Sequence, residues 1–314
     1  MRIFLAGGTG AIGRPLVRRL VARGHHVTAT TRSPEKAGLL RSLGAEPAVL
    51  DGLDGVAVGE AVARAEPDAI IHQMTGLAGI SDLKHFDRTF AATNELRTTG
   101  TEHLLDAARA AGVGRFVAQS YAGWTSARTG GPVKDEDDPL EPDPPAAQAQ
   151  SLAAIRRLEE LVLGAPLTGT VLRYGGFYGP GAWEELLDVV RRRRMPLVGD
   201  GAGVWSWIHV EDAAAATVAA VEAGVPGVFN VVDDDPAPVS AWLPHLARAA
   251  GARPPRRVPV WLGRLAAGEV VVSMMTQARG SSNAKIRREL GWEPMWRSWR
   301  DGFLESREEG AVAA

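Results

Sequence analysis

Cysteine is absent from this 314-residue chain. Its absence excludes disulfides, thiolate metal sites and a cysteine nucleophile, and it agrees with the cytoplasmic location we expect. Tyrosine is scarce, at three copies: Tyr121, Tyr174 and Tyr178. No lysine stands between Lys134 and Lys285. No apolar run approaches the length of a bilayer span, and the start shows no basic segment followed by a cleavage site, so no membrane contact is expected. Charge of one sign is also lacking, with 35 Lys and Arg against 37 Asp and Glu. Such a balance gives no field for nucleic acid, and the run Arg191–Arg194 reads as a solvated helix face.

What is present is an apolar strand joined to a helix by a glycine turn, Ile3-Phe4-Leu5-Ala6-Gly7-Gly8-Thr9-Gly10-Ala11-Ile12-Gly13. Gly7 and Gly10 allow a tight turn that can approach a pyrophosphate, and Gly13 allows close helix packing. The helix Arg14–Ala22 then aims its free N–H groups and dipole at that phosphate. His26–Thr31 follows as a second strand. Its end selects the cofactor: an acid there suits the ribose diol of NAD, whereas this chain has Thr31, Arg32 and Ser33. A guanidinium suits a 2′-phosphate, so NADPH is expected.

The βα rhythm continues with a helix Pro34–Leu43, a strand Glu46–Leu50 leading to Asp51 at the adenine, a helix Val56–Ala65 and a strand Asp68–His72. Leu83–Ala111 reads as one long helix, Arg115–Gln119 as the fifth strand, and 122–148 as a loop or mobile segment. A helix Ser151–Leu163 and a sixth strand Thr168–Leu172 close the pattern. The alternation predicts an α/β fold, a Rossmann-type doubly wound parallel sheet over 1–172, with a smaller mixed C-terminal substrate lobe over 173–314. A strand or helix of the second part has room to return to the first.

These blocks resemble the extended short-chain dehydrogenase/reductases. The matching pieces are the glycine turn, Asn94 before Gly100-Thr101, Val117-Ala118-Gln119-Ser120, Leu172-Arg173 with Tyr178-Gly179-Pro180-Gly181, Ile208–Ala213, Phe229-Asn230-Val231, and Ser282–Lys285 with Leu290-Gly291-Trp292. The resemblance implies a nicotinamide cofactor and hydride transfer at the carboxyl ends of the strands. It places the dinucleotide against Gly7, Thr9, Gly10, Ala11, Ile12, Gly13, Thr31, Arg32, Ser33, Asp51, Met74, Asn94, Gln119, Tyr174, Phe177 and Tyr178.

The departures matter more. Family members carry a Tyr-x-x-x-Lys pair whose tyrosine moves the proton and whose lysine lowers its pKa. Aligned on Glu159, the tyrosine position falls on Ser151, the lysine position on Ile155 and the family's serine or threonine on Tyr121, beside Ser120. Tyr121, Ser120 and Ser151 are therefore the candidate catalytic groups, and the sequence offers Tyr121 no evident cation. Among members without the pair, the chain resembles the angucyclinone ketoreductases of actinobacterial polyketide pathways. Trp124, Trp183, Trp205, Met195, Met274 and Met275 suit a flat aromatic substrate. The expected activity is NADPH-dependent reduction of a carbonyl on such a polyketide, by a monomer or homodimer without a metal. Alternatives are a nucleotide-sugar epimerase or dehydratase and a non-catalytic NADPH-binding sensor.

Overall fold

The first apolar run is strand β1, Arg2–Ala6, and two-residue alternation explains its burial on both sides. Ile3 and Leu5 enter one core while Phe4 and Ala6 enter the other. Six strands join it: β2 His26–Thr31, β3 Glu46–Val49, β4 Ala69–His72, β5 Arg115–Tyr121, β6 Thr168–Tyr174 and β7 Gly227–Val231. All pair in parallel, in the order β7-β6-β5-β4-β1-β2-β3. The computed structural model describes residues 1–76 and 83–312, with side chains through residue 305.

Helices α1, Gly13–Ala22, and α5, Val210–Ala223, cover one face of the sheet with Leu16, Val17, Leu20, Ala213 and Val221. Helices α2, Gly55–Ala65, α3, Thr101–Ala110, and α4, Ala149–Gly164, cover the other with Val58, Val62, Leu104, Leu158 and Val162. The order reverses between β1 and β4, which opens the crevice where such sheets take a dinucleotide. Beyond residue 172 a helix and a strand both return: α5 packs on α1, and β7 pairs with β6. The small buried residues Ala213, Ala216 and Ala220 let α5 lie close to α1.

The long helix expected over Leu83–Ala111 is broken. It divides into Phe86–Thr89, Ala91–Glu95, a π-helical turn Leu96–Gly100 and α3. Hydroxyls explain the widened turn, because Thr98 donates to the Asn94 carbonyl at 3.0 Å and Thr101 to the Arg97 carbonyl at 2.7 Å. The segment 122–148, expected as a loop, is fastened at both edges. Ser126 bridges Leu140, and Val133–Lys134 pairs with Gly280–Ser281.

The remaining chain forms a lobe around Trp207, Trp242, Trp299 and Phe303, which meet edge to face or tilted. No helix is long and apolar enough to cross a membrane, and no group of acids and histidines could hold a metal, among the described residues.

Candidate active site

The glycine turn is built by steric necessity. Gly7 has φ +98°, and a Cβ on it would stand 2.7 Å from the Gln73 carbonyl oxygen. A Cβ on Gly13 would stand 2.3 Å from the Gly7 oxygen. Gly10, by contrast, is exposed and borders a cavity of about 340 Å³ with Ala11, Ile12, Gly13, Gln73, Gln119 and Phe177. Helix α1 opens on this cavity with no side-chain cap and no acid in its first turn. In its first turn the Arg14 N–H is taken by the Gly10 carbonyl at 3.2 Å and Pro15 carries none, so the helix offers an anion the Gly13 N–H and the positive end of its dipole.

Gln73, which the sequence reading overlooked, supplies a second cue. Its Oε1 is buried without a partner among the described residues, while its Nε2 donates to the Tyr174 hydroxyl at 3.1 Å. Tyr174 in turn donates a hydrogen bond to the Thr217 hydroxyl at 2.7 Å, since Thr217 donates its own to the Ala213 carbonyl. Fully buried, Tyr174 orients Gln73 rather than lining the cavity, which corrects its expected role as a cofactor contact. Tyr178 is corrected likewise. It is buried in the lobe core against Trp183, His209 and Phe303, because strand Gly176–Tyr178 turns it away from the cavity that Phe177 lines.

At the other end of the crevice, Thr9 and Thr31 bring their hydroxyls to 3.5 Å. Ser33 donates its backbone N–H to the Thr31 hydroxyl at 3.2 Å, and Arg32 is exposed with no carboxylate paired to it among the described residues. Asp51 holds the turn by accepting from the Leu53 N–H at 3.0 Å, and Met74 packs on Gly52, where a Cβ would meet its sulfur at 2.4 Å. An uncapped helix end and a free guanidinium fit the phosphates of a dinucleotide, and the orphaned Gln73 acceptor fits a donor such as a ribose hydroxyl.

The hydroxyls expected to move a proton are engaged elsewhere. Ser151 is fully buried, donates to Asp87 Oδ1 at 2.6 Å and accepts from Asn94 Nδ2 at 2.9 Å. Ser120 donates to Glu159 Oε1 at 2.7 Å, and Arg173 clamps that carboxylate with bonds of 2.8 and 2.6 Å. Both serines are thus engaged by internal carboxylates, and the Asn94 amide nitrogen is bonded to Ser151. Tyr121 remains, with its hydroxyl pushed up to about 12 by burial. The expectation that it has no cationic neighbour is overturned, since the Arg97 charge acts on it in the opposing sense. Apolar spacing gave no signal for Arg97, since its neighbours four residues away, Thr93 and Thr101, are polar in sequence although buried in the fold.

Trp124, Trp205 and Met274 close on Tyr121 around a crevice of about 10 Å³, so a ring that enters it must move these side chains apart. Trp205 is oriented there by its Nε1, which donates to the Met274 carbonyl at 2.8 Å. The other residues expected to meet substrate do not reach it. Trp183 and Met275 belong to the lobe core, and Met195 packs half-buried on that core, because helix Glu184–Arg191 and the end of helix Val260–Thr276 turn these faces inward.

Comparison with known proteins agrees with this frame. Residues 3–231 match the model of the "NAD dependent epimerase/dehydratase family". The chain is 45% identical over 308 residues to a "3-diazoavenalumate denitrifying reductase" of Streptomyces sp, covering 96% of this chain and 99% of that protein. It is 30% identical to the "4-hydroxy-2-methyl-3-oxo-4-farnesyl-3,4-dihydroquinoline-1-oxide ketoreductase" of Stigmatella aurantiaca, covering 93% and 92%. The fold matches a UDP-glucose 4-epimerase of Thermotoga maritima with a TM-score of 0.77 at 22% identity, over 100% of this chain and 99% of that one. With its parallel sheet, its glycine turn and these relatives, the chain is an enzyme of the NAD-dependent epimerase/dehydratase family, the extended short-chain dehydrogenase/reductases.

Proposed function

We propose that this enzyme is an NADPH-dependent reductase whose acceptor is an aromatic diazonium, a group that takes hydride without needing a proton from the protein. One observation carries the reading: Ser120 and Ser151, the hydroxyls at or beside the family's proton-transfer positions, are both bound to internal carboxylates. Reduction of a carbonyl leaves an oxyanion that must be protonated. An aryl diazonium differs, because the incoming hydride pair becomes the new C–H bond while the C–N pair departs with N2. No oxyanion forms. The bound dinucleotide would supply that hydride from its nicotinamide. The protein's part is to hold the phosphates at α1 and Arg32 and to align the acceptor among Tyr121, Trp124, Trp205 and Met274, so that positioning supplies the catalysis. A relative at 45% identity that is named for reductive removal of a diazo group supports this choice.

A second reading is favoured by Tyr121, the hydroxyl left in the crevice. There the acceptor is a ketone on a polycyclic aromatic polyketide of angucyclinone type, and Tyr121 donates a hydrogen bond to its oxygen. An epimerase or dehydratase is disfavoured, since it must remove and return protons through a base that is missing here. A non-catalytic sensor would bind NADPH without consuming it.

The deciding experiment supplies NADPH deuterated at the transferring position of the nicotinamide, with diazotised 3-amino-4-hydroxybenzoate and an anthraquinone ketone as alternative acceptors. Expected are release of N2 and an arene carrying the cofactor's deuterium at the vacated carbon. Turnover of the ketone alone, or hydrogen drawn from solvent at that carbon, overturns the diazonium reading, and oxidation of NADPH by neither leaves the sensor.

A further inference from the structure

A buried cation without a bound carboxylate among the described residues, Arg97, acts through its charge on Tyr121. Arg97 is 7% exposed, and among the described residues its guanidinium makes one side-chain hydrogen bond, to Asn94 Oδ1 at 3.4 Å. Its remaining N–H donors have no protein acceptor among the described residues and are not sealed from solvent, so they stay open to a ligand. Arg173, also buried, shows the contrast, because Glu159 closes on it with two short bonds. The interior penalises the bare charge, and burial pulls the Arg97 pKa down to about 10. The π-helical turn Leu96–Gly100, fixed by the Thr101 hydroxyl on the Arg97 carbonyl, holds the residue in this place. Uncompensated cost of this kind concentrates where a ligand removes it.

The ligand's charge has one available source. On the proposed reading a dinucleotide pyrophosphate would lie at the start of α1, and a 2′-phosphate beyond the end of β2. Tyr121 ends β5, three strand spacings from β2, or about 14 Å across the sheet. That separation removes the 2′-phosphate as the partner of Arg97, and the pyrophosphate, two spacings away, has its own site at α1, which leaves the hydride acceptor as the anion to be tested. Next to it stand rings that suit a flat partner: Tyr121 and Trp124 with centroids 6.1 Å apart, and Phe86 edge-on to Trp124 at 5.3 Å.

We propose that Arg97 is the substrate-anion receptor of this site and takes the carboxylate of an aromatic acid whose ring lies along Tyr121 and Trp124. A guanidinium matches a carboxylate in a two-point bond that an ammonium cannot reproduce. The inference rests on the reading of the β5 end as the hydride-transfer site, and it narrows the acceptor to aromatic acids.

The test needs no turnover, so its failure is separable from that of the proposed reaction. The full chain, saturated with NADP⁺, is titrated with trans-cinnamate and with the neutral cinnamamide, following tryptophan quenching and calorimetry. The parent protein is expected to bind cinnamate at least about tenfold more tightly than the amide. Arg97→Gln is expected to lose that preference while holding the amide as the parent does, and Arg97→Lys to recover part of it. Because the substitution removes an unmatched interior charge, the Tm of Arg97→Gln should equal or exceed the parent value. Equal binding of acid and amide by the parent, or no cinnamate binding at millimolar concentration, overturns the proposal. So does a lowered Tm with both ligands lost together, the mark of a purely structural arginine. Cinnamate bound through Arg97 without reduction of any diazonium leaves this inference standing and removes the reaction.

Discussion

Ser151 donates its hydroxyl proton to Asp87 Oδ1 at 2.6 Å, and the same carboxylate accepts the Ser151 backbone N–H at 2.8 Å. A residue at the family's tyrosine position thus fastens the first turn of α4 to helix Phe86–Thr89.

Ser151→Ala separates the two roles. Removing the hydroxyl leaves Asp87 and the Asn94 amide each short of a buried partner, so stability should fall by about 1–3 kcal/mol in urea unfolding. The turnover number with a diazonium should stay within about twofold of the parent, since no barrier depends on that proton. A hundredfold loss of turnover in a fully folded variant would reinstate Ser151 as a catalytic residue.

Arg32→Ala tests the cofactor choice. A charge-assisted contact to a 2′-phosphate contributes about 1.5–3 kcal/mol, so the KM for NADPH should rise roughly tenfold to a hundredfold while that for NADH moves little. An equal rise for both would show that Arg32 holds no phosphate. The contact is exposed, so the NADPH effect should also shrink as salt is raised.

Buried His72 predicts a pH dependence of stability. Its Nδ1 accepts from the Met74 N–H and its Nε2 donates to the Leu96 carbonyl, a pattern that requires the neutral ring. Burial, helped by the Arg97 charge, lowers its pKa from 6.5 to about 4. The unfolded chain therefore takes up this proton first as pH falls. Stability from this group is complete above pH 6.5 and is lost between there and 4, by about 3 kcal/mol at the lower limit. Urea midpoints of the parent and of His72→Gln, followed from pH 7 to 4, should diverge by about that amount, with the parent falling more steeply. Parallel profiles would mean that the ring charges without cost.

The sheet was legible because its signal is local. Strand β2 begins and ends at His26 and Thr31 as the alternation predicted, and the glycine turn carries its own steric reason. The interrupted helix before α3 was not, since Thr98 and Thr101 widen its turn through hydroxyl bonds that apolar spacing does not record. Nor could spacing show that Tyr178 and Trp183 close the lobe core while Trp124 and Trp205 face Tyr121. Those positions depend on packing between segments far apart in sequence. Arg97 was missed for a different reason: a charged residue flanked at i±4 by threonines, Thr93 and Thr101, reads as exposed, and only the packed fold buries all three.

Tyr121→Phe discriminates between the two acceptors on one protein. The hydroxyl, raised to about 12, stays neutral through the physiological range and can donate a hydrogen bond to a developing oxyanion. Loss of such a donor or proton source costs a carbonyl reduction about 10²- to 10⁴-fold. A diazonium develops no oxyanion, so its reduction by the variant should hold within about twofold of the parent, and the ratio of diazonium to ketone turnover should climb accordingly. The comparison is internal, because fold, cofactor affinity and the Trp124 wall are common to both measurements. If diazonium reduction falls as far as ketone reduction, Tyr121 takes part in the hydride step itself, and a site that acts by positioning alone is the wrong description.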